Sequence, residues 1–196
     1  MKELIVATRN QGKLREIKEL LADLDFKIIS LDELKGMPQI VEDGKTFKDN
    51  AIKKALTIAG HTKKLTLGED SGLEVTVLGN KPGVFSARFA GKDATDPKNN
   101  VKLLRMLRGL SLKKRQAYYR CFAALADKNG VVGVVSGSCS GLIAARAKGK
   151  NGFGYDPLFL IPRFNKTFGE LPSEVKAKMS HRFHALKKIK KILQKY

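Results

Sequence analysis

Apolar residues fall along the 196-residue chain in short runs that switch between two spacings, and the switching predicts interleaved strands and helices. Leu4-Ile5-Val6-Ala7 is a buried-strand run, after which Leu14, Ile17, Leu20 and Leu21 repeat at helical period. Residues 26–29 read as a second strand. Residues 46–59 read as a second helix, with Phe47, Ala51, Ile52, Ala55 and Leu56 on its apolar side and Thr46 as its N-cap. Leu65-Thr66-Leu67, an acidic turn at Glu69-Asp70-Ser71-Gly72, and Leu73-Glu74-Val75 read as strand, turn and strand, with a loop over 79–83. Residues 97–108 predict a helix with Val101, Leu104 and Leu107 inward. The β-type runs 117–126 and 131–139 flank Asp127-Lys128-Asn129-Gly130, where Asn-Gly accepts the positive φ of a tight hairpin. Leu158-Phe159-Leu160-Ile161 is a further strand. A hairpin set among alternating helices and strands argues for an α/β fold with a mixed β-sheet flanked by helices rather than a purely parallel sheet.

Length and a 42% hydrophobic content are enough for one substantial core, so residues 1–196 are expected to form a single domain. No run approaches the roughly 18 uninterrupted apolar residues of a membrane span, and the start is too short and too polar for a secretory signal. A cytoplasmic protein without a membrane partner is expected. Cys121 and Cys139 lie in separate apolar runs; a disulfide between them is possible but not required, and two buried thiols suit a reducing compartment.

Charge changes the picture more. A formal net charge of +19 calls for an anionic partner: nucleic acid, membrane surface or a phosphorylated small molecule. Residues 174–196 hold eight Lys or Arg against one acid, Glu174. Leu186, Ile189 and Leu193 recur there at helical spacing, which reads as an amphipathic helix docked by its apolar stripe with a solvated basic face.

Four constellations offer chemistry. Thr8-Arg9-Asn10-Gln11-Gly12-Lys13 joins a strand to a helix, and a helix start with its unpaired N–H groups and a lysine makes a phosphate cradle. Its glycine spacing is not that of a P-loop, and Thr8 and Asn10 are equally ordinary capping residues. The acidic segments Glu42-Asp43-Gly44 and Glu69-Asp70-Ser71-Gly72 suit magnesium, which takes one or two carboxylates together with waters and substrate phosphates. Zinc finds no His/Cys cluster, because His61, His181 and His184 are scattered relative to the cysteines. In Gly152-Phe153-Gly154-Tyr155-Asp156, glycines let backbone approach a ligand and rings can stack on a base. Ser180-His181-Arg182, with Lys176, offers donors to phosphate oxygens or base carbonyls. A Ser/His/Asp triad has no nucleophile elbow to support it.

These segments, in this order, resemble the inosine triphosphate pyrophosphatase family. The matching text is Thr8–Lys13; Glu42-Asp43-Gly44-Lys45-Thr46-Phe47 with Asn50-Ala51; Asp70-Ser71-Gly72-Leu73-Glu74-Val75; the run 82–91; Gly152-Phe153-Gly154-Tyr155-Asp156-Pro157; Lys166-Thr167-Phe168; and Ser180-His181-Arg182. The resemblance implies an elongated mixed sheet with two lobes enclosing an active-site cleft, usually in a homodimer. It implies Mg2+-assisted hydrolysis of ITP, dITP and XTP to the monophosphate and pyrophosphate. It makes Asp70 the catalytic base and a metal-associated carboxylate, and Glu42 a magnesium ligand. Thr8, Arg9, Asn10, Gln11, Gly12, Lys13, Lys53 and Ser71 match positions around the triphosphate. Phe153, Gly154, Tyr155, Asp156, Lys176, His181 and Arg182 match the nucleoside pocket. Two positions depart from the family pattern: Glu69 stands where an aspartate is common, and Phe183 follows Ser-His-Arg where glycine is common.

Two other readings compete. A basic nucleic-acid-binding module accounts for the charge but not for the acidic segments, which repel phosphate unless a cation lies between; no specific nucleic acid is expected. A pyrophosphatase for modified pyrimidine nucleotides shares the chemistry and differs only in the base.

Overall fold

The computed structural model describes residues 2–196. In chain order the elements are β1 (Lys2–Val6), α1 (Gln11–Leu21), β2 (Phe26–Ser30), α2 (Phe47–Thr62), β3 (Thr66–Val75), β4 (Lys81–Pro82), α3 (Asp96–Met106), β5 (Gln116–Asp127), β6 (Gly130–Ile143), β7 (Phe159–Ile161), β8 (Lys166–Thr167), α4 (Ser173–Lys176) and α5 (His181–Leu193). The strand order is β2-β1-β3-β5-β6-β7-β8, and β4 pairs with β3. β1 runs parallel to both β2 and β3, whereas β7 is antiparallel to β6 and to β8. The sheet is therefore mixed, as the hairpin signal implied.

Local sequence explains the helix starts. The Asn10 carboxamide accepts from the Lys13 N–H at 2.9 Å and so caps α1. At α2, Thr46 and Asp49 form a reciprocal capping box. Thr95 caps α3, with Pro97 in its first turn, where a missing N–H costs nothing. This helix spans Asp96–Met106 and stops short of the 97–108 expected, because the Leu107 backbone leaves helical geometry (φ −96°, ψ 6°) and Gly109 turns the chain with φ 79°. α2 runs past residue 59 to Thr62 and ends at Lys63, which has a left-handed φ of 57°.

The acidic segment 69–72 is not a turn. β3 passes through it without interruption, and Glu69 and Asp70 are only 1% and 5% exposed. Acidic residues beside Ser-Gly read as a solvated turn only if their charges need water; here each carboxylate meets buried cations, and a paired charge is tolerated inside. Gly68, just before them, allows α2 to lie directly on the strand, since a Cβ there would stand 2.2 Å from the Ala51 carbonyl oxygen.

The chain divides into two compact units: Met1–Asp70, Cys121–Gly137 and His181–Tyr196 in the first; Ser71–Arg120 and Ser138–Ser180 in the second. The first holds an aliphatic core in which Leu4, Val6, Ile17, Leu67, Leu125, Leu186 and Ile189 are fully buried. Its final helix, α5, docks by the stripe Leu186, Ile189 and Leu193, as the periodicity predicted. The second holds a more aromatic core with Tyr119, Tyr155, Phe159 and Phe168. Cys121 and Cys139 are both buried free thiols.

Candidate functional site

Within the first unit, ion pairs form one alternating chain, buried at its centre and half-buried at its Glu42 end. Glu16 pairs with Arg182, Arg182 with Glu69 at 3.1 Å, Glu69 with Lys13 at 2.9 Å, Lys13 with Asp70 at 3.9 Å, Asp70 with Lys54 at 3.4 Å, and Lys54 with Glu42 at 2.8 Å. Three elements converge to build it: α1 supplies Glu16 and Lys13, β3 supplies Glu69 and Asp70, and α2 supplies Lys54. Asn50, one helical turn before Lys54, donates to Asp70 Oδ2 at 3.1 Å and accepts from the Gly44 N–H at 2.8 Å. It ties the Glu42-Asp43-Gly44 segment to the strand. Burial pushes the Asp70 carboxyl above its ordinary range; Lys13 and Lys54 pull it back, and Glu69 and Glu42 push it up again, so the net shift is upward. Burial pulls Lys13 down, but the neighbouring carboxylates outweigh it and hold the ammonium above its usual value. Burial likewise raises the Cys121 thiol, which donates to Glu69 Oε1 at 3.3 Å.

The sequence pointed to Lys53 beside the triphosphate, but the structure puts Lys54 into this cluster. Lys53 pairs with Asp43 on the exposed side, whereas Lys54 is 5% exposed and also donates to the Glu69 carbonyl at 3.3 Å. One helical position is a turn of about 100°, enough to move a side chain from the buried face of α2 to its solvent face. The alternating burial of Phe47, Asn50, Ala51, Lys54, Ala55 and Ile58 carried the signal: Lys54, not Lys53, continues the apolar stripe.

The strand-to-helix turn keeps its backbone at the start of α1 while its side chains are held from outside. Arg9 and Gln11 donate to Asp32 at 3.2 and 2.8 Å, and Thr8, buried, accepts from the Asn10 N–H. Gly12 and Lys13 lie in the first turn of α1. Arg182 and His181 open α5 and are both buried. The sequence offers Arg182 as a donor to phosphate oxygens or a base carbonyl; in the fold its guanidinium reaches Glu16 and Glu69, and these two carboxylates raise its pKa despite burial.

The second unit has its own polar cluster. Asp156, 2% exposed, accepts from the Tyr119 hydroxyl at 3.2 Å through Oδ1, and from the Phe153 N–H at 2.9 Å and the Lys176 ammonium through Oδ2. Lys176 lies over the Phe153 ring at 4.9 Å and the Phe168 ring at 5.7 Å. Gly152 has φ 76°, and a Cβ there would stand 2.0 Å from Asp156 Oδ2, so only glycine lets the carboxylate lie under this turn. Gly154 is fixed on both sides, its N–H by Asp96 at 2.6 Å and its carbonyl by Asn100 at 3.1 Å. Tyr155 faces the core, with its hydroxyl on the Ser86 carbonyl at 2.8 Å. Ser71 is half-buried at the start of this unit.

The structure brings Lys13, Glu42 and Asp70 together, and Phe153, Asp156 and Lys176 together. It adds Glu16, Asn50, Lys54 and Glu69 to the first group and Tyr119 to the second. Among the described residues no three His, Cys, Asp or Glu side chains gather into a closed metal cage, and no helix is long and apolar enough to cross a membrane.

The Ham1 family model matches residues 4–192. The chain is 48% identical over 193 residues to a dITP/XTP pyrophosphatase of Desulforamulus reducens, covering 98% of this chain and 96% of the relative. It is 42% identical to a dITP/XTP pyrophosphatase of Bacillus subtilis, covering 99% and 98%. The solved structure of a HAM1 protein from Coxiella burnetii superposes with a TM-score of 0.90 at 40% identity and covers 100% of both chains. The Staphylococcus aureus Ham1 protein gives 0.88 at 36% identity over 98% of each. With a family model spanning nearly all of it and relatives matched end to end, this chain belongs to the Ham1 family.

Proposed function

We propose that the protein hydrolyses deaminated purine nucleoside triphosphates (ITP, dITP and XTP) to the monophosphate and pyrophosphate, with residues 1–196 working as one pyrophosphatase domain. The observation that carries this reading is the alternating charge chain around Asp70, set in relatives named as dITP/XTP pyrophosphatases. Four carboxylates and three cations give that chain more acids than bases inside a protein of net charge +19. A nucleic-acid module gives no reason for such a cluster, and a pyrimidine pyrophosphatase is not favoured by the relatives.

Magnesium fits the donors. Glu42 Oε1 and Asp70 Oδ1 both close on one ammonium, Lys54 Nζ, at 2.8 and 3.4 Å, so two hard oxygen donors already converge on a positive charge. One or two carboxylates completed by substrate phosphates is the habit of that ion. Glu42 and Asp70 would hold it, and when bound it supplies positive charge to the phosphate oxygens.

The chain's own residues do the rest. Asp70, held by Asn50, orients a water for attack on the α-phosphorus and takes its proton; the bond to the β-phosphate oxygen breaks and pyrophosphate leaves. Lys13, Lys54 and the N-terminal N–H groups of α1 share the charge that develops on the phosphate oxygens. Phe153, Asp156 and Lys176 receive the base: the ring stacks, and the ammonium donates to a 6-oxo group. Adenine presents a 6-amino donor there and leaves the lysine mispaired, at a cost of about 1–3 kcal/mol. A cytoplasmic homodimer is the expected setting.

The deciding experiment is pyrophosphate release across ITP, dITP, XTP, GTP, ATP and modified pyrimidine triphosphates, with and without magnesium. Magnesium-dependent turnover with deaminated purines strongly preferred is expected. Equal turnover of ATP, or preference for a pyrimidine, would remove the proposal.

A further inference from the structure

We propose that Tyr119 is a positioning residue for base discrimination: its buried hydroxyl orients the Asp156 carboxylate, and through it the Lys176 ammonium. The inference rests on the proposed assignment of Asp156 and Lys176 to the base. Strand period selects this tyrosine rather than its neighbour. On β5, Ala117, Tyr119 and Cys121 alternate inward, while Tyr118 stays half-buried with the Arg120 guanidinium over its ring. The Tyr119 ring packs 4.5 Å from Phe159 and 6.3 Å from Phe168, and these contacts fix where its hydroxyl falls. It falls on Asp156 Oδ1 at 3.2 Å, while Oδ2 serves Phe153 and Lys176.

Donors on both oxygens stop the carboxylate from rotating. They also divide its charge: a hydroxyl on Oδ1 draws density from Oδ2 and loosens the grip on Lys176, so that the ammonium can give a hydrogen bond to a 6-oxo group without leaving Asp156. Phe168 completes the arrangement, lying near Tyr119 on one side and beneath Lys176 on the other. A tyrosine held only for packing needs none of this, because phenylalanine fills the same space.

Tyr119→Phe keeps the ring and removes the hydroxyl. With ITP, kcat/KM is expected to fall about 3- to 10-fold, mostly through KM, the scale of one ordinary net hydrogen bond, since the hydroxyl acts on the base only through Asp156 and Lys176. With ATP it should barely change, so the ITP:ATP ratio narrows by the same factor. A purely structural role would lower Tm and leave that ratio alone. Lys176→Gln is measured in parallel, and the double variant should fall short of the product of the single effects because both act through one carboxylate. If Lys176→Gln narrows the ratio and Tyr119→Phe does not, or if the two effects multiply independently, the role of Tyr119 is overturned. If neither variant moves the ratio, the assignment of Lys176 to the base fails and takes this inference with it.

Discussion

The two units handle buried charge in opposite ways. The first carries 20 Lys or Arg against 13 acids and the second 18 against six, so the second is the more basic. Yet the first holds a seven-membered alternating chain of charges, buried over most of its length, whereas the second buries one ion pair, Asp156 with Lys176, between aromatic rings, and one lone guanidinium, Arg115, on backbone carbonyls. A chain of alternating charges can exchange one cation for another with little rearrangement, because the inner carboxylates, Glu69 and Asp70, each keep a second partner. A pair boxed by rings and by a tyrosine hydroxyl has little freedom to move. The first arrangement suits a place where metal and phosphate come and go, and the second a place where a donor must stay put to read a base. Net charge identifies neither: the surplus lies on the surface, and the proposed chemistry lies where carboxylates are concentrated.

The sharpest way to break the comparison is Asp70→Asn, which keeps the shape and removes charge and basicity from the middle of the chain. Turnover is expected to fall on the order of 10²-fold or more while the fold persists, as for a positioned acid–base group. Single-turnover rates at saturating magnesium, with a thermal melt as control, test it; more than about a tenth of the wild-type rate would take Asp70 out of the role.

Next in size is the choice between adjacent lysines. Lys54→Gln should cost about tenfold or more in kcat/KM, and Lys53→Gln no more than about twofold, since the partner of Lys53 among the described residues is the exposed Asp43. Lys54 also sharpens the pH dependence. Burial holds the Asp70 carboxyl above 3.8 and Lys54 counters it. The active form is the ionised one, so activity is lost as pH falls through that raised value, and the acid limb of kcat/KM lies above the ordinary aspartate range. Removing Lys54 removes a charge that favours ionisation, and the limb moves to still higher pH. A Lys53 variant that shifts the limb, or a Lys54 variant that does not, would reverse the assignment.

These same residues show what the sequence could carry. Periodicity and capping marked β1, α1, α2, the β5–β6 hairpin and the docking stripe of α5, because each is set by residues close in sequence. The unbroken strand through Glu69 and Asp70 was not legible, since it depends on cations from α1, α2 and α5 that become neighbours only on folding. Arg182 illustrates the same limit: in the sequence it is one donor in a basic tail, and in the fold it answers Glu16, 166 positions away. Lys54 was recoverable from the helical stripe alone. Tyr119 was not, because its hydroxyl matters only once β5 lies against the turn that holds Asp156.

The smallest effect is expected where the charge is most conspicuous. Lys187, Lys191 and Lys195 are exposed and have no ion-pair partner among the described residues, while Lys188 donates to the Ser136 carbonyl and Lys190 pairs with Asp23. The helix is held by Leu186, Ile189 and Leu193, each no more than 2% exposed, and none of these contacts involves the three lysines. Changing Lys187 and Lys191 to alanine alters helix propensity by only a few tenths of a kcal/mol, and it removes like charges four residues apart, a repulsion of about the same size. The triple alanine variant should therefore keep nucleotide turnover within about twofold and Tm nearly unchanged. What it should lose is weak, salt-sensitive affinity for DNA or RNA, which depends on the number of phosphates neutralised and not on their sequence. Binding titrations at low and physiological salt, run beside the turnover assay, separate the two. A large fall in turnover would mean that the basic face of α5 takes part in the proposed reaction, and tight, sequence-dependent nucleic-acid binding lost in the variant would restore the competing reading of the whole protein.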